Sequence, residues 1–256
     1  MSGPAAARPR HDLKDRVYRW VVALGGMLFG ALDLRRDVRG VEHVPLEGGA
    51  VLAISHFSYL DFALVEWAVW RHRRRYVRFM ATSASFEHPV AGPLMRAMGH
   101  IPVRRTGGAT AYRYAADALR RGQLVGVFPE TRVSRSFTLL AFKNGAARMA
   151  SQSGTPIVPC VVWGSHRVLT RTHRPGLRSA RHTPVRIVFG EPLRPAPGDD
   201  PSHVTAQLRE AMTALLAGAQ EGYPVEPGAW WLPAHLGGGA PTPEDADVLD
   251  GRAAGS

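Results

Sequence analysis

The sequence predicts a single α/β domain in which helices flank a mostly parallel central sheet. Its 256 residues are enough for one sizeable domain with a buried core, and 45% of them are hydrophobic against 21% charged. Short apolar runs alternate with segments of helical periodicity, which is the arrangement that a parallel sheet requires. The strand-like runs are residues 50–54, 76–81, 123–128, 156–163 and 185–190.

Helical periodicity occurs in four segments between and after these strands. Gly122 is well placed to end the second helix, because glycine adopts the left-handed conformation of a C-terminal cap at no steric cost. Ser58 is a candidate N-cap for the first helix, which would place Asp61 in its first turn. The predicted helices are residues 59–73, 109–121, 140–151 and 202–217.

Four regions are expected along the chain. Residues 1–10 are small and polar and should be disordered. Residues 11–40 are expected to form an amphipathic helical segment, and residues 41–220 the α/β domain. Residues 221–256 are rich in glycine, proline and acid, so we expect a partly disordered extension in which two adjacent tryptophans are packing anchors.

The amphipathic segment is suited to the plane of an anionic membrane. Its apolar residues fall on one helical stripe, and arginines flank the stripe at both ends. The uncharged stretch, residues 20–32, is shorter than the about 20 residues that a helix needs to cross a bilayer. The alternative is a helix that packs on the protein's own core. The stripe comprises Val17, Trp20, Val21, Leu24, Leu28, Ala31 and Leu32.

The composition points to an anionic partner. The net charge is +11, which favours a phospholipid surface or a nucleic acid. Nucleic acid is disfavoured, because the aromatic residues are not interleaved with the basic ones and no recognition motif is visible. The single cysteine, Cys160, excludes a disulfide within the chain and indicates a reducing compartment. It lies in an apolar run, where a thiol packs as a hydrophobic group.

A histidine and an acid stand together at the end of the first predicted strand. His56 follows that strand, and Asp61 comes five residues later at the start of a helix. One imidazole nitrogen can then face the carboxylate while the other faces a substrate, which predicts a general base and its orienting acid. The alternative is that Ser58 and Asp61 merely begin a helix and that His56 is an ordinary loop residue.

Two further clusters carry charge at strand ends. Arg104 and Arg105 end a short extended segment, and paired guanidinium groups bind phosphate in bidentate fashion. In an arginine-rich chain such a pair also occurs on a solvated surface. Glu130 and Arg132 follow the third strand, and ligands of open α/β sheets bind at the carboxyl ends of strands. By itself, Glu130 is equally explained as a turn acid after a proline.

These segments form an ordered set of four blocks. They read Ser-His-Phe-Ser-Tyr-Leu-Asp from Ser55, Gly-His-Ile-Pro-Val-Arg-Arg from Gly99, Phe-Pro-Glu-Thr-Arg-Val-Ser from Phe128 and Pro-Ile-Val-Pro from Pro156. The set resembles the four blocks of the glycerolipid acyltransferases, and above all the bacterial 1-acyl-sn-glycerol-3-phosphate acyltransferase type. The resemblance covers residues 41–195, and it makes residues 41–220 an acyltransferase catalytic domain.

The resemblance implies transfer of a fatty acyl group from acyl-CoA or acyl-carrier protein to a glycerol hydroxyl. It makes His56 the general base and Asp61 its orienting acid. Because a thioester is already activated, a positioned base suffices and no acyl-enzyme is required. The implied substrate-binding residues are Arg104 and Arg105 for the acceptor phosphate, with Arg132 and Lys143 as further phosphate candidates. The resemblance also implies that Glu130 shapes or contacts the acceptor's glycerol end.

We therefore expect a monotopic enzyme that makes phosphatidate for phospholipid synthesis at the cytoplasmic face of the cell membrane. Its partners would be the anionic membrane surface, a lysophospholipid acceptor and the acyl donor. No metal or nucleotide cofactor is expected, since the sequence has neither metal-ligand spacing nor a phosphate loop. Glycerol-3-phosphate or another lyso-lipid is an alternative acceptor, and a relative that binds lipid without turnover is also open.

The third block departs from the family pattern Phe-Pro-Glu-Gly-Thr-Arg-Ser. Thr131 takes the place of the glycine, and Arg132 takes the place of the threonine. Threonine adopts a positive φ only with strain, so we expect the turn after Glu130 to differ from one built on glycine. Arg132 adds positive charge where the family has a hydroxyl group, which bears on the acceptor more than on the reaction.

Overall fold

The computed structural model describes residues 13–104, 108–174 and 176–251. The strands are β1 (Arg35–Arg39), β2 (Ala50–Ile54), β3 (Val77–Thr82), β4 (Ile101–Val103), β5 (Leu124–Val127), β6 (Ile157–Trp163) and β7 (Pro184–Phe189). The helices are α1 (Leu13–Ala31), α2 (Asp61–Arg73), α3 (Ser83–Glu87), α4 (Ala91–Ala97), α5 (Gly108–Arg120), α6 (Gly145–Ser153), α7 (Leu177–Ala180), α8 (Pro201–Gln220) and α9 (Pro243–Leu249). The predicted single α/β domain is confirmed.

The strands form one sheet in the order β1-β7-β6-β2-β5-β3-β4. Within it the β6–β7 pair is antiparallel and the other neighbouring pairs are parallel. Every residue of the central strand β2 is buried, as expected when helices cover both faces of a parallel sheet. Strands β2 to β6 all run in one direction, so their carboxyl ends lie along one edge. Ligands of α/β sheets bind at such an edge.

The outer strands show where local sequence patterns are weakest. Strand β1 has the sequence Arg-Arg-Asp-Val-Arg and was not predicted, because it shows no apolar run. Its charged side chains are tolerated because β1 is an edge strand that pairs with β7 alone. The segment 11–40 is therefore not helical throughout. Helix α1 ends at Ala31, and the chain turns at Asp33, with a φ of 48°, into the sheet.

Helix α1 has two apolar faces instead of the single stripe expected. Tyr18, Val22 and Phe29 are buried, and the Tyr18 hydroxyl accepts a hydrogen bond from the Val77 amide at 3.0 Å. The second face points outward and has side chains that are between 52% and 75% exposed, namely Trp20, Leu24, Met27 and Leu28. Among the described helices, none has the length and apolar character that a membrane span requires.

The C-terminal region is more ordered than its composition predicts. Residues 221–251 are described and pack on the domain through Trp231 and Leu232, which are 4% and 1% exposed. Helix α9 forms because Thr242 accepts a hydrogen bond from the Asp245 amide and a proline occupies the first turn. The described part of this region thus includes Trp231 as a packing anchor and one helix, α9. Residues 252–256 and the N-terminal residues 1–12 lie outside the described residues.

A buried polar cluster joins helix α2 to the β3–β4 pair. Glu66 of α2 is 2% exposed, and its Oε1 lies 3.3 Å from His100 Nε2. His100 Nδ1 accepts a hydrogen bond from the Phe79 amide at 3.1 Å, which leaves the ring proton on Nε2, facing Glu66. Burial raises the pKa of Glu66 to about 8 and lowers the pKa of His100 to about 3. At neutral pH the two groups therefore meet uncharged.

Two pairs of buried groups have shifted pKa values that make the free energy of unfolding depend on pH. Burial raises the pKa of Glu66 and Glu130 to about 8, and it lowers the pKa of His100 and His166 to about 3. Between pH 4.5 and 6.5, the folded state holds two more protons on the glutamates and two fewer on the histidines than the unfolded state. The glutamates and the histidines therefore change the free energy of unfolding with pH in opposite directions. Of these four groups, only the glutamates contribute from pH 6.5 to about 8, and each lowers the free energy of unfolding by about 1 kcal/mol per pH unit.

We predict that Glu66→Gln reduces this fall in stability by about half. A neutral amide at position 66 removes the proton that the folded state must release as the pH rises. The check is the urea midpoint of unfolding at pH 6.5 and pH 8 for the variant and the parent protein. Glu210→Gln, on the exposed side of α8, is the matched control and should leave the fall unchanged. An equally steep fall in Glu66→Gln would contradict the prediction.

Candidate active site

His56 and Asp61 meet at the point where β2 leaves the sheet. His56 Nδ1 lies 3.4 Å from Asp61 Oδ2, a length typical of catalytic hydrogen bonds before substrate binds. The imidazole is 17% exposed and the carboxylate is fully buried. His56 Nε2 has no hydrogen bond to any residue that the structure describes. The pair therefore has one ring nitrogen facing its acid and the other free to take a proton.

The Asp61 carboxylate is held by further donors besides the imidazole. Oδ2 accepts hydrogen bonds from the amides of Phe57 and Ser58, both at 2.8 Å. Oδ1 accepts one from the Ser165 hydroxyl at 2.6 Å. Asp61 also lies in the first turn of α2, where the helix dipole favours negative charge. This set of donors holds the carboxylate in a fixed orientation beside His56.

The start of α2 differs from the predicted one. The N-cap position belongs to Leu60, which makes no side-chain cap. Ser58 instead accepts a hydrogen bond from the Leu60 amide at 2.9 Å and donates one to the Leu169 carbonyl. Ser58 thus ties the turn after β2 to the loop after β6, and Asp61 itself satisfies the amides that precede the helix.

Ser165 is a site residue that the sequence analysis missed. It is fully buried in the turn that follows β6, at the same edge of the sheet as His56. No local motif marks it, since its partner Asp61 is 104 positions away in the chain. A usable signal was its place directly after a buried strand, where polar side chains of α/β folds commonly face the site.

Glu130 holds the backbone of His56. Its side chain is buried, with 3% of the residue exposed. Oε1 accepts a hydrogen bond from the His56 amide, and Oε2 accepts one from the Leu140 amide, each at 2.9 Å. Burial raises the pKa of Glu130 to about 8, while these two amides act in the opposite direction. Of the two roles considered for Glu130, this geometry matches shaping of the site, because both of its oxygens are engaged by the protein.

A stack of aromatic rings supports the imidazole. The rings of His56 and Phe128 lie 3.9 Å apart between centroids, with an interplanar angle of 20°. Phe128 in turn stacks on Phe79 at 5.7 Å. Gly126 of β5 makes room for this arrangement, since a Cβ at that position would lie 2.8 Å from the Phe79 ring. The stack restricts rotation of the His56 ring and leaves its edge toward the solvent.

The turn after Glu130 keeps the glycine-like conformation, so the expectation that it would differ was wrong. Thr131 has a φ of 61°, and its amide donates to the Phe128 carbonyl at 3.0 Å. A left-handed conformation costs a residue with a Cβ about 1–2 kcal/mol. Thr131 therefore holds local strain beside the residue that binds the His56 backbone.

Arg132 was expected to be a phosphate ligand, and the structure shows it engaged by carboxylates. Its Nη2 lies 2.5 Å from Asp247 of α9, and its Nη1 lies 3.0 Å from Asp250 at the end of that helix. A guanidinium with both ends paired is not free to bind an acceptor phosphate in this conformation.

Two of the remaining predicted phosphate ligands, Arg104 and Lys143, lie around the same edge. Arg104 follows β4 directly and is exposed. Arg105 lies outside the described residues. Lys143 has an exposed side chain, and its amide donates to the Pro129 carbonyl at 2.9 Å, which places it beside the third block.

Comparison with known proteins decides the family. A model of the family described as Acyltransferase matches residues 35–163, half of the chain. The match includes β1 to β6 and with them His56, Asp61 and Glu130. The chain belongs to the acyltransferase family.

Known relatives of this acyltransferase come from plants and bacteria. A chloroplastic 1-acyl-sn-glycerol-3-phosphate acyltransferase of Brassica napus is 26% identical over 163 residues, which cover 62% of this chain and 45% of the relative. An uncharacterized protein of Mycobacterium tuberculosis is 29% identical over 226 residues, which cover 71% of this chain and 61% of the relative. The chain thus spans about half the length of the curated relatives it matches.

A solved structure has the same fold. The crystal structure of the 1-acyl-sn-glycerophosphate acyltransferase PlsC from Thermotoga maritima matches this acyltransferase with a TM-score of 0.66. The match covers 84% of this chain and 85% of that chain, at 20% sequence identity. Fold similarity therefore extends beyond the part that the family model matches.

We predict that Thr131→Gly stabilises this acyltransferase by about 0.5–1 kcal/mol. The relief of strain at a positive φ, about 1–2 kcal/mol, exceeds the added flexibility of glycine in the unfolded state, roughly 0.5–1 kcal/mol. The measurement is the free energy of unfolding in urea. Thr131→Ala is the control and should gain less, because it keeps a Cβ. A Thr131→Gly variant less stable than the parent would show that the threonine side chain supports the turn.

Proposed function

We propose that this acyltransferase moves a fatty acyl group from an acyl thioester to the free hydroxyl of 1-acyl-sn-glycerol-3-phosphate, making phosphatidate. The observation that carries the proposal is the His56–Asp61 pair, whose free Nε2 lies at the ligand-binding edge of the sheet. The names of the plant relatives and of the Thermotoga maritima protein support the choice of acceptor.

The chemistry follows from the orientation of the imidazole. With Nδ1–H facing Asp61, neutral His56 accepts the hydroxyl proton on Nε2 as the oxygen attacks the thioester carbonyl. Asp61 stabilises the imidazolium, which then returns the proton to the departing thiolate. General-base catalysis of this kind supplies about 10²- to 10⁴-fold in rate. The reaction needs no metal or redox cofactor, because the acyl thioester is an activated co-substrate.

Direct transfer also fits the state of the only cysteine. Cys160 lies within β6, is fully buried, and burial raises the pKa of its thiol well above the ordinary value. A buried, protonated thiol is a poor nucleophile. The acyl group therefore passes straight from the donor to the acceptor hydroxyl without a covalent intermediate on Cys160.

We assign the acceptor phosphate to Arg104, with Arg105 beside it in the sequence. Strands β2 and β4 are three positions apart in the sheet, which corresponds to about 14 Å between their ends. An acceptor bound across this edge directs its hydroxyl toward His56 and its phosphate toward the arginine. Lys143 is a further cation for that phosphate. Glycerol-3-phosphate and other lyso-lipids share this chemistry, so an acceptor screen must separate them.

We further propose that the exposed face of α1 binds an anionic membrane at the cytoplasmic face of the cell. That face presents Trp20, Leu24, Met27 and Leu28 to the outside, and Arg16 is exposed on the same helix. Apolar side chains beside arginines suit the boundary between head groups and acyl chains. The net charge of +11 adds attraction to anionic lipids. A lysophospholipid could then reach His56 from the bilayer.

We predict that His56→Ala lowers kcat by about 10²-fold or more, because the general base is lost. Thiol release from a long-chain acyl-CoA, and separately from an acyl-carrier protein thioester, measures turnover with lysophosphatidate, glycerol-3-phosphate or lysophosphatidylcholine as acceptor. His203→Ala, on the exposed side of α8, is the control and should retain full activity.

We expect Arg104→Gln to raise the KM for lysophosphatidate about tenfold with little change in kcat, because it removes a phosphate ligand and leaves the base in place.

Three outcomes would contradict parts of this proposal. Undiminished turnover by His56→Ala would remove the assigned base. A preference for glycerol-3-phosphate or lysophosphatidylcholine would change the acceptor. No thiol release by the parent protein with any acceptor would refute the transfer reaction itself.

We predict that the double variant Leu24→Ser, Leu28→Ser binds phosphatidylglycerol-containing vesicles about 30-fold more weakly than the parent. Each leucine contributes roughly 1 kcal/mol when it is partly buried at the interface. Co-sedimentation with vesicles measures the binding. The control is Val225→Ser, Leu236→Ser, which changes two exposed apolar residues outside α1. Equal loss of binding in both variants would contradict a role specific to α1.

A further inference from the structure

The end of helix α9 places a single carboxylate among three arginines. Asp250 lies 3.0 Å from Arg132, 2.6 Å from Arg135 and 2.7 Å from Arg171. Its side chain is 8% exposed, and those of Arg132 and Arg135 are 21% and 17% exposed, whereas that of Arg171 is 40% exposed. Desolvation raises the pKa of Asp250, but the hydrogen bond from Arg135 and the charges of the three arginines outweigh it, and the pKa is lowered.

The C-terminal region also contacts the segment that follows β6. His166, in the turn after β6, has its Nε2 3.0 Å from the Trp231 carbonyl. The ring of Trp230 stacks on His173 at 3.9 Å with an interplanar angle of 10°. Residues 230–250 therefore contact two loops. One contains Arg132 and Arg135, and the other contains Ser165, whose hydroxyl donates a hydrogen bond to Asp61.

The first of these loops holds the main chain of His56 from both sides. We call residues 130–135 the third-block loop. Glu130 accepts a hydrogen bond from the His56 amide at 2.9 Å. The Ser134 amide donates a hydrogen bond to the His56 carbonyl at 2.8 Å. Arg132 and Arg135 lie within this same loop, on either side of Ser134. A shift of the arginines would therefore move both groups that fix the His56 backbone.

We propose that Asp250 is a positioning residue that holds the third-block loop, and through it His56, in the catalytic geometry. This inference rests on the proposed acyl transfer. Without the carboxylate, the clustered guanidinium groups repel one another and the strained turn at Thr131 is free to relax. His56 would then shift relative to Asp61 and the acceptor hydroxyl. Displacements of about 1 Å at a catalytic group reduce rates by up to about 10²-fold.

The test compares Asp250→Asn with the parent by steady-state thiol release. We expect kcat to fall about tenfold while the KM values for donor and acceptor change less than about twofold, because the loop orients the base and does not itself bind substrate. Asp250→Glu restores the charge and should recover most of kcat. Hydrogen exchange should become faster in peptides that cover residues 55–61 and 130–136, which include the His56 and Ser134 amides.

Two further variants complete the comparison. Glu244→Gln removes the same charge from the exposed first turn of α9 and should match the parent in kcat and exchange. Asp247→Asn removes the contact to Arg132 from a side chain that is 49% exposed, and it should give a smaller loss than Asp250→Asn. Asp247→Asn also serves as the test if Asp250→Asn does not fold.

Unchanged kcat and unchanged exchange in a folded Asp250→Asn protein would overturn the inference. So would a rise in KM with constant kcat, since that result would make the arginine cluster a binding element. If the parent protein releases no thiol with any acceptor, the proposed function fails first. The exchange experiment still reports whether Asp250 holds the His56 backbone.

Discussion

The buried carboxylate of Asp61 is the constraint on which the site depends. An isolated carboxylate in the interior would be destabilising by several kcal/mol, so it must be surrounded by donors. Those donors come from the turn after β2 and from Ser165 after β6. The charge can therefore be buried only when the ends of the two strands lie in register, and the same register sets the position of His56. The register of β2 and β6 is therefore required both for burial of the carboxylate and for the catalytic geometry.

A second buried acid divides the task with the first. Asp61 faces the imidazole and orients the ring, whereas Glu130 faces the peptide group of His56 and fixes the main chain from which the ring projects. Burial and, to a smaller extent, the nearby Asp61 charge raise the pKa of Glu130. The hydrogen bonds from the two amides lower it by less. The imidazole thus has its side chain held by one carboxyl group and its backbone by another.

Local patterns in the sequence predicted the central part of this arrangement. Strand β2, His56 and Asp61 could be located because an apolar run, a loop and a helix start follow one another within 12 residues. Strand β1 could not be, because the stability of an edge strand comes from its partner and not from its own side chains. No local motif marks Ser165 or Asp250. Their partners are 104 and 118 positions away, and no short-range periodicity records such contacts.

The third block shows how two unfavourable residues become compatible with the site. A threonine at φ 61° is strained, and the guanidinium group of Arg132 lies in the same loop as that of Arg135. Two guanidinium groups in one short loop repel each other and are stabilised by a counter-charge. Here helix α9 provides that counter-charge, and its residues lie outside the segment that the family model matches. The third block and the C-terminal helix therefore form one structural unit, and a chain cut after residue 220 would leave the cations beside His56 without Asp247 and Asp250.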